Sequence, residues 1–100
     1  MKPKTEKQFM DNIMDLAHKT GWVIHHDYHS KIQGKNDKGF PDLIMGKGSV
    51  IIAAELKRDR REIVTSEQLF WLSIFRNCGT IARVWYPDDI EEIENLLTRR

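Results

Sequence analysis

The chain has 100 residues, 40% apolar and 31% charged, which is the composition of one globular domain and excludes a disordered tail. No apolar run exceeds the five residues 50–54 and no secretory signal opens the chain, so no membrane partner is expected. The single cysteine excludes an internal disulfide and suits a reducing cytoplasm. We therefore predict one cytoplasmic domain over residues 1–100.

The net charge of +1 conceals an uneven distribution of charge along the chain. Between Lys31 and Arg61 there are eight basic and four acidic residues, whereas residues 88–94 contain five acidic residues and no basic one. A basic middle followed by an acidic end is compatible with a polyanionic partner that contacts one face only.

Seven elements are predicted, in the order α-β-β-β-α-β-α. Thr-x-x-Gln capping motifs mark the starts of two helices, and β-branched and aromatic runs bounded by Gly or Pro mark the strands. The elements are a helix over 5–19, strands over 22–28, 41–45 and 50–57, a helix from Thr65 that ends before Gly79, a strand over 80–86 and a helix opening at Asp88. The second helix is expected to face inward with Leu69, Trp71, Leu72, Ile74 and Phe75. A mixed α/β fold, with helices flanking the sheet, follows.

The strand over 50–57 ends in charged residues although its apolar residues predict burial on both faces. Glu55 and Lys57 share one face of it, because successive side chains on a strand alternate. A tight turn at residues 46–48 makes this strand antiparallel to the one before it, which brings Asp42 opposite the same end. The plainest interpretation is a Glu55–Lys57 salt bridge. The convergence of three ionisable groups favours the alternative, in which Asp42 and Glu55 hold a hard divalent cation through oxygen.

These residues carry a resemblance to a known family. Pro41-Asp42 followed by Glu55-Leu56-Lys57 resembles the PD-(D/E)xK nuclease superfamily. The continuation, Thr65-x-x-Gln68 opening the next helix and then CGTIARVWY at 78–86, is similar to the VRR-NUC family of virus-type replication and repair nucleases. The resemblance implies a restriction-endonuclease-like fold and a stand-alone domain of the phage or bacterial kind. It therefore also implies the cytoplasm of a bacterium or of a phage-infected host cell.

The resemblance also implies roles for individual residues. Asp42 and Glu55, with the Leu56 carbonyl, would bind Mg²⁺, for which Mn²⁺ is expected to substitute. Lys57 would stabilise the transition state of phosphodiester hydrolysis or orient the nucleophile. Gln68 would support the site, although a helix-capping role explains it equally well. Glu6 would bind the metal through water, although an acid in the first turn of a helix is common.

Two groups of basic residues bracket the predicted carboxylates. Such groups are usually solvated surface, but a pair flanking an acidic site favours contacts with a phosphate backbone. They are Lys31, Lys35 and Lys38 before Asp42, and Arg58, Arg60 and Arg61 after Lys57.

The function that follows is a metal-dependent, structure-selective DNA endonuclease. The resemblance extends to Holliday-junction resolvases, so branched DNA and a homodimer are expected. Two alternatives stay open: a restriction-like or single-strand nuclease with the same metal site, and a non-catalytic DNA-binding module with a nuclease fold.

Overall fold

The structure, a computed structural model, describes residues 5–26 and 38–99. Within these ranges three α-helices and four strands follow the predicted order, with one turn of 3-10 helix at Pro87–Asp89 before the last helix. No helix within the described ranges has the length and apolar character that crossing a bilayer demands. The elements are α1 (Glu6–Lys19), β1 (Val23–His26), β2 (Leu43–Lys47), β3 (Val50–Leu56), α2 (Ser66–Asn77), β4 (Ile81–Trp85) and α3 (Ile90–Leu97).

The four strands form one mixed sheet in the order β1-β2-β3-β4. The β1–β2 and β2–β3 pairs are antiparallel, and β4 is parallel to β3 because α2 carries the chain back across the sheet. The β2–β3 hairpin turns through Gly48 and Ser49, with Gly48 at φ +60°, as a tight turn with Gly in its first central position requires. The predicted α/β fold is confirmed, and β3 has a neighbouring strand on each side.

The sheet has a core face and a second face, which we call the site face. Alternation along the strands turns Leu43, Met45, Ile52, Ala54, Leu56 and Trp85 to the core face, where they are buried. Phe9, Ile13 and Ala17 from α1 and Ile93 and Leu97 from α3 complete the core. The site face therefore receives the side chains in between, which include Glu55.

The first two residues of β3 are less buried than the apolar sequence of the strand predicts. Val50 and Ile51 are 40% and 48% exposed, whereas every residue from Ile52 to Lys57 is buried. Burial is therefore concentrated at the end of the strand that carries the charged side chains.

Helix α2 lies over β3 and β4 on the site face and buries fewer apolar residues than the sequence predicts. Leu72 is buried, and Trp71 and Phe75 form edge contacts with Phe40 at centroid distances of 5.0 and 5.8 Å. The expected inward orientation of Leu69 and Ile74 is wrong, since they are 54% and 36% exposed. The helix covers only two strands, so its buried stripe is narrow.

Candidate active site

Asp42 and Glu55 are brought together by the register of the β2–β3 hairpin. Leu43 pairs with Ala54, so one step further Asp42 comes opposite Glu55 on the same face of the sheet. Asp42 is anchored there because its Oδ2 accepts a 2.8 Å hydrogen bond from the Leu56 backbone N–H. The predicted convergence of the two carboxylates thus occurs at the edge where β3 ends.

The Glu55 carboxylate is buried, with 4% of the residue exposed. Its Oε2 accepts a 2.9 Å hydrogen bond from Gln68 Nε2 and lies 3.8 Å from Lys57 Nζ. Its Oε1 is buried without a hydrogen-bond donor. A buried carboxylate oxygen in this state is costly unless a proton or a cation reaches it.

The acid–base balance of the site reflects this crowding of negative charge. Burial raises the pKa of Glu55 to about 9, and the charge of Asp42 and a hydrogen bond to its carboxyl act in the same direction. Lys57 opposes the shift, and the charge of Glu6 adds to it. A carboxylate has no hydrogen to donate, so a hydrogen bond between the Glu55 and Asp42 carboxyls requires a proton on one of them. Near neutral pH the pair therefore holds either a proton or a cation.

Lys57 follows β3 directly and is as buried as Glu55, at 4% exposure. Its backbone N–H donates to the Trp85 carbonyl at 2.9 Å, which holds the residue at the sheet although the strand ends at Leu56. Its ammonium lies 3.8 Å from Glu55 Oε2 and 3.7 Å from Glu62 Oε2. The partly exposed Glu55–Lys57 pair considered from the sequence is in fact buried and includes a second carboxylate.

Gln68 caps α2, as one of the two predicted roles requires, and also contacts Glu55, while its role in supporting the site stays a prediction. Its Oε1 accepts from the Thr65 N–H at 2.9 Å, and its own backbone N–H donates to Thr65 Oγ1 at 3.1 Å, which completes a capping box at the start of α2. The Thr65 N–H is only a donor, so it fixes the amide oxygen toward the cap. The amide nitrogen is thereby directed at Glu55.

The segment that enters β2 is packed against the start of α2. Gly39 has φ +86°, and a Cβ built on it would lie 2.5 Å from the Glu67 carbonyl carbon and 2.7 Å from Gln68 N. Beside it, Lys38 Nζ is 3.5 Å from Glu67 Oε2. Only glycine allows this approach of two backbones, so Gly39 contributes to the position of Gln68.

The donor set fits a hard divalent cation, although it is small. Within residues 5–26 and 38–99, no cluster of three or more His, Cys, Asp or Glu side chains is arranged to hold a metal ion. Mg²⁺ is commonly held by one or two carboxylates, with water and substrate phosphate supplying the remaining oxygens. The carboxylates of Asp42 and Glu55 match that pattern, and Glu55 Oε1 is an oxygen without a hydrogen-bond donor. The metal roles of Glu6, which is exposed at the start of α1, and of the Leu56 carbonyl stay predictions.

The six predicted DNA-binding residues differ in the contacts that they make. Lys31 and Lys35 lie outside the described residues. Arg60 stacks on the Tyr86 ring at 3.9 Å and contacts Asp89 at 3.0 Å, and Arg61 pairs with Asp59 at 3.2 Å. Lys38, Arg58, Arg60 and Arg61 are all exposed, and their contacts with DNA stay predictions.

Glu62 and Gly39 were not singled out from the sequence. Glu62 lies in a run of charged residues without periodicity, and only the structure shows its carboxylate turned back toward Lys57. A glycine before Phe40-Pro41 signals a turn, but not which element it approaches.

Comparison with known proteins adds structural neighbours. No protein-family model matches the sequence, and no curated protein is significantly similar to it. A solved structure described as a VRR_NUC domain protein is similar with a TM-score of 0.67 and 22% identity, over 93% of this chain and 89% of that one. Archaeoglobus fulgidus Hjc, a Holliday junction resolvase from an archaeal hyperthermophile, is similar with a TM-score of 0.56 and 21% identity, over 80% of this chain and 67% of that one.

Both neighbours belong to the PD-(D/E)xK-like nuclease superfamily. The resemblance noted in the sequence is thus confirmed at the level of the fold: the chain has the restriction-endonuclease-like fold that these two structures share.

Proposed function

We propose that this protein is a metal-dependent DNA endonuclease that hydrolyses phosphodiester bonds. The observation that carries the proposal is the buried Asp42–Glu55 pair, in which Glu55 Oε1 lacks a donor while Lys57 lies 3.8 Å from the other oxygen. A structural ion pair would have no need for a second, repelling carboxylate at the same position. The two nuclease neighbours of the same fold support this interpretation.

Each residue of the site has a distinct task in this proposal. Asp42 and Glu55 would hold Mg²⁺, or Mn²⁺ in its place, with the Leu56 carbonyl as a further oxygen donor and Glu6 bound through water. When bound, the cation supplies Lewis acidity toward the scissile phosphate and the attacking water. Lys57 directs its ammonium at the charge that develops on the phosphoryl oxygens. Gln68 keeps Glu55 in one orientation through its amide nitrogen.

The substrate is proposed to be DNA held mainly through its backbone. Lys38 precedes Asp42 in the chain and Arg58 follows Lys57. Both are exposed, as are Arg60 and Arg61, and Lys31 and Lys35 precede Lys38 in the chain. Phosphate contacts of this kind supply affinity that falls with salt, and not sequence recognition. The enzyme is therefore proposed to select DNA by its shape and not by its sequence.

Branched DNA and a homodimer are the specific form of the proposal. One neighbour is a Holliday junction resolvase, and a junction presents two equivalent strands to two symmetric sites. We place the enzyme in the cytoplasm of a bacterium or of a phage-infected cell, where DNA is accessible and the exposed Cys78 stays reduced.

The test is a substrate panel. Labelled four-way junction, flap, single-stranded and plain duplex DNA are incubated with the protein and Mg²⁺, Mn²⁺ or EDTA, with Lys57→Ala and Glu55→Gln in parallel. Paired, metal-dependent cuts in the junction that both variants lack are expected. Cuts in flap or single-stranded DNA alone would keep the nuclease and reject the junction. Binding without cleavage of any substrate would favour a DNA-binding module.

A further inference from the structure

We infer that Glu62 is the positioning residue for Lys57, holding its ammonium beside the carboxylate pair when a cation occupies that pair. The inference rests on the proposed nuclease function. Glu62 lies in the loop after β3, and its side chain is 33% exposed. It is not one of the two carboxylates at the edge of the sheet.

The position of the Lys57 ammonium is defined by two carboxylates. Glu55 Oε2 and Glu62 Oε2 lie at 3.8 and 3.7 Å from Nζ, and the lysine side chain itself is 5% exposed. At these nearly equal distances the ammonium is within ion-pair range of an acid of the site and of an acid of the loop.

The loop that carries Glu62 is closed by its own hydrogen bonds. Glu62 Oε1 accepts from the Arg58 backbone N–H at 2.9 Å, and the Glu62 N–H donates to the Asp59 carbonyl at 3.1 Å. The Asp59 carboxylate in turn accepts from the Arg61 N–H at 2.8 Å. Oε1 is therefore occupied by the loop, and Oε2 is the oxygen directed toward Lys57.

The same loop is fastened to the rest of the protein. Arg60 stacks on Tyr86 and contacts Asp89, the residue that also caps the backbone N–H of Tyr86 at 2.9 Å. Arg60 thus anchors the loop that carries Glu62 to Tyr86 and Asp89.

A bound cation makes Glu62 necessary. A divalent ion on Glu55 would repel the ammonium and compete for the same carboxylate, because both interact with one negative group at short range. Glu62 lies in the loop beyond the carboxylate pair and would be the attraction that remains. Its second role, the hydrogen bond to the Arg58 N–H, needs only an acceptor, which an amide oxygen also provides.

Glu62→Gln therefore separates the two roles, since it keeps the acceptor for Arg58 and removes the charge beside Lys57. Glu94→Gln changes net charge equally on an exposed face of α3 and is the control. Cleavage of labelled DNA by both variants and the parent is measured at saturating Mg²⁺ while the DNA concentration varies. We expect kcat to fall about 10-fold or more for Glu62→Gln, because a misplaced group at the reacting centre slows the chemical step. We expect KM to change less than about 3-fold, because Glu62 acts on Lys57 and not on the binding of DNA.

A second readout needs no DNA and is made at saturating Mg²⁺, the condition in which the inference gives Glu62 its role. Lysine labelling with an amine-reactive reagent, followed by mass spectrometry, is expected to be faster at Lys57 in Glu62→Gln, while Lys47, whose Nζ donates to the Thr20 carbonyl, is unchanged and reports an intact fold. Unchanged labelling at Lys57, or a rise in KM without loss of kcat, would overturn the inference. If the parent cuts no DNA the proposed function fails, and the labelling result still decides whether Glu62 positions Lys57.

Discussion

Gln68 connects the start of α2 to Glu55: its Nε2 donates to Glu55 Oε2 at 2.9 Å while its Oε1 accepts from the Thr65 N–H at 2.9 Å. One amide thus completes a helix cap and fixes a buried carboxylate. The structure of the helix and the geometry of the site therefore depend on the same side chain.

Gln68→Ala is expected to lower the free energy of unfolding by about 1–2 kcal/mol, because it removes a cap contact and a hydrogen bond to a buried acid. Gln8 occupies the matching position of α1, where the Gln8 backbone N–H donates to Thr5 Oγ1 at 3.0 Å. Gln8 is exposed and Gln8→Ala leaves that bond in place, so this variant should cost less than Gln68→Ala, about 0.5–1 kcal/mol. Urea unfolding of both variants measures the difference. Equal losses would mean that the contact with Glu55 contributes nothing.

Gly39→Ala should lower the free energy of unfolding by more than a positive φ alone explains. Gly39 and Gly79 have φ +86° and +83°, but a Cβ at Gly79 would meet no atom within 4 Å. We expect Gly79→Ala to cost about 1 kcal/mol from backbone strain alone, and Gly39→Ala to cost at least about 2 kcal/mol because of the added steric clash. Urea unfolding compares them. Similar losses would show that the approach of Gly39 to α2 is not tight.

The metal-free protein should lose stability as pH rises. The pKa of Glu55 is raised in the folded protein, so the folded state binds the proton more tightly than the unfolded state does. The penalty is absent below the unfolded value near 4.5, grows above it, and is complete above about 9.

Glu55→Gln removes this titration, so its free energy of unfolding should exceed that of the parent by about 1–3 kcal/mol at pH 9, the cost of a buried group without a partner. Below pH 4.5, where the Glu55 carboxyl is neutral in both states, the two proteins should converge. Denaturation in EDTA across this range measures it, with Glu94→Gln as control. Parallel curves for parent and Glu55→Gln would contradict a raised pKa.

Arg58 and Arg60 should differ in what they contribute. Arg60 is engaged with Tyr86 and Asp89, so Arg60→Ala should lower the free energy of unfolding by about 1 kcal/mol through lost cation–π and ion-pair contacts. Arg58→Ala should instead reduce the slope of log K for DNA against log salt by about 1. Binding is measured in EDTA to prevent cleavage. An unchanged salt slope would remove Arg58 from the proposed DNA surface.

The sequence was sufficient for the features that depend on local rules. A tight turn and strand alternation placed Asp42 opposite Glu55, and the Thr65–Gln68 spacing predicted the capping box that the structure contains. Each depends on residues close in the chain, whose geometry has few solutions.

Features that depend on which elements approach each other could not be predicted from the sequence. The exposure of Leu69 and Ile74 follows from how little of the sheet α2 covers, and helical periodicity does not report that. The helix predicted to open at Asp88 begins instead at Ile90, because a 3-10 turn occupies Pro87–Asp89. The contact of Glu62 with Lys57 depends on the fold of a loop without periodic pattern.

The central claim is that the Asp42–Glu55 pair holds a divalent cation for DNA cleavage. Its most direct test is the cleavage rate of labelled four-way junction, flap, single-stranded and duplex DNA as Mn²⁺ concentration varies, for the parent, Glu55→Gln and Glu94→Gln. We predict a saturable rise for the parent and Glu94→Gln and no measurable rate for Glu55→Gln at any concentration. A Glu55→Gln curve that matches the parent, or no cleavage by the parent at any Mn²⁺ concentration, would contradict the claim.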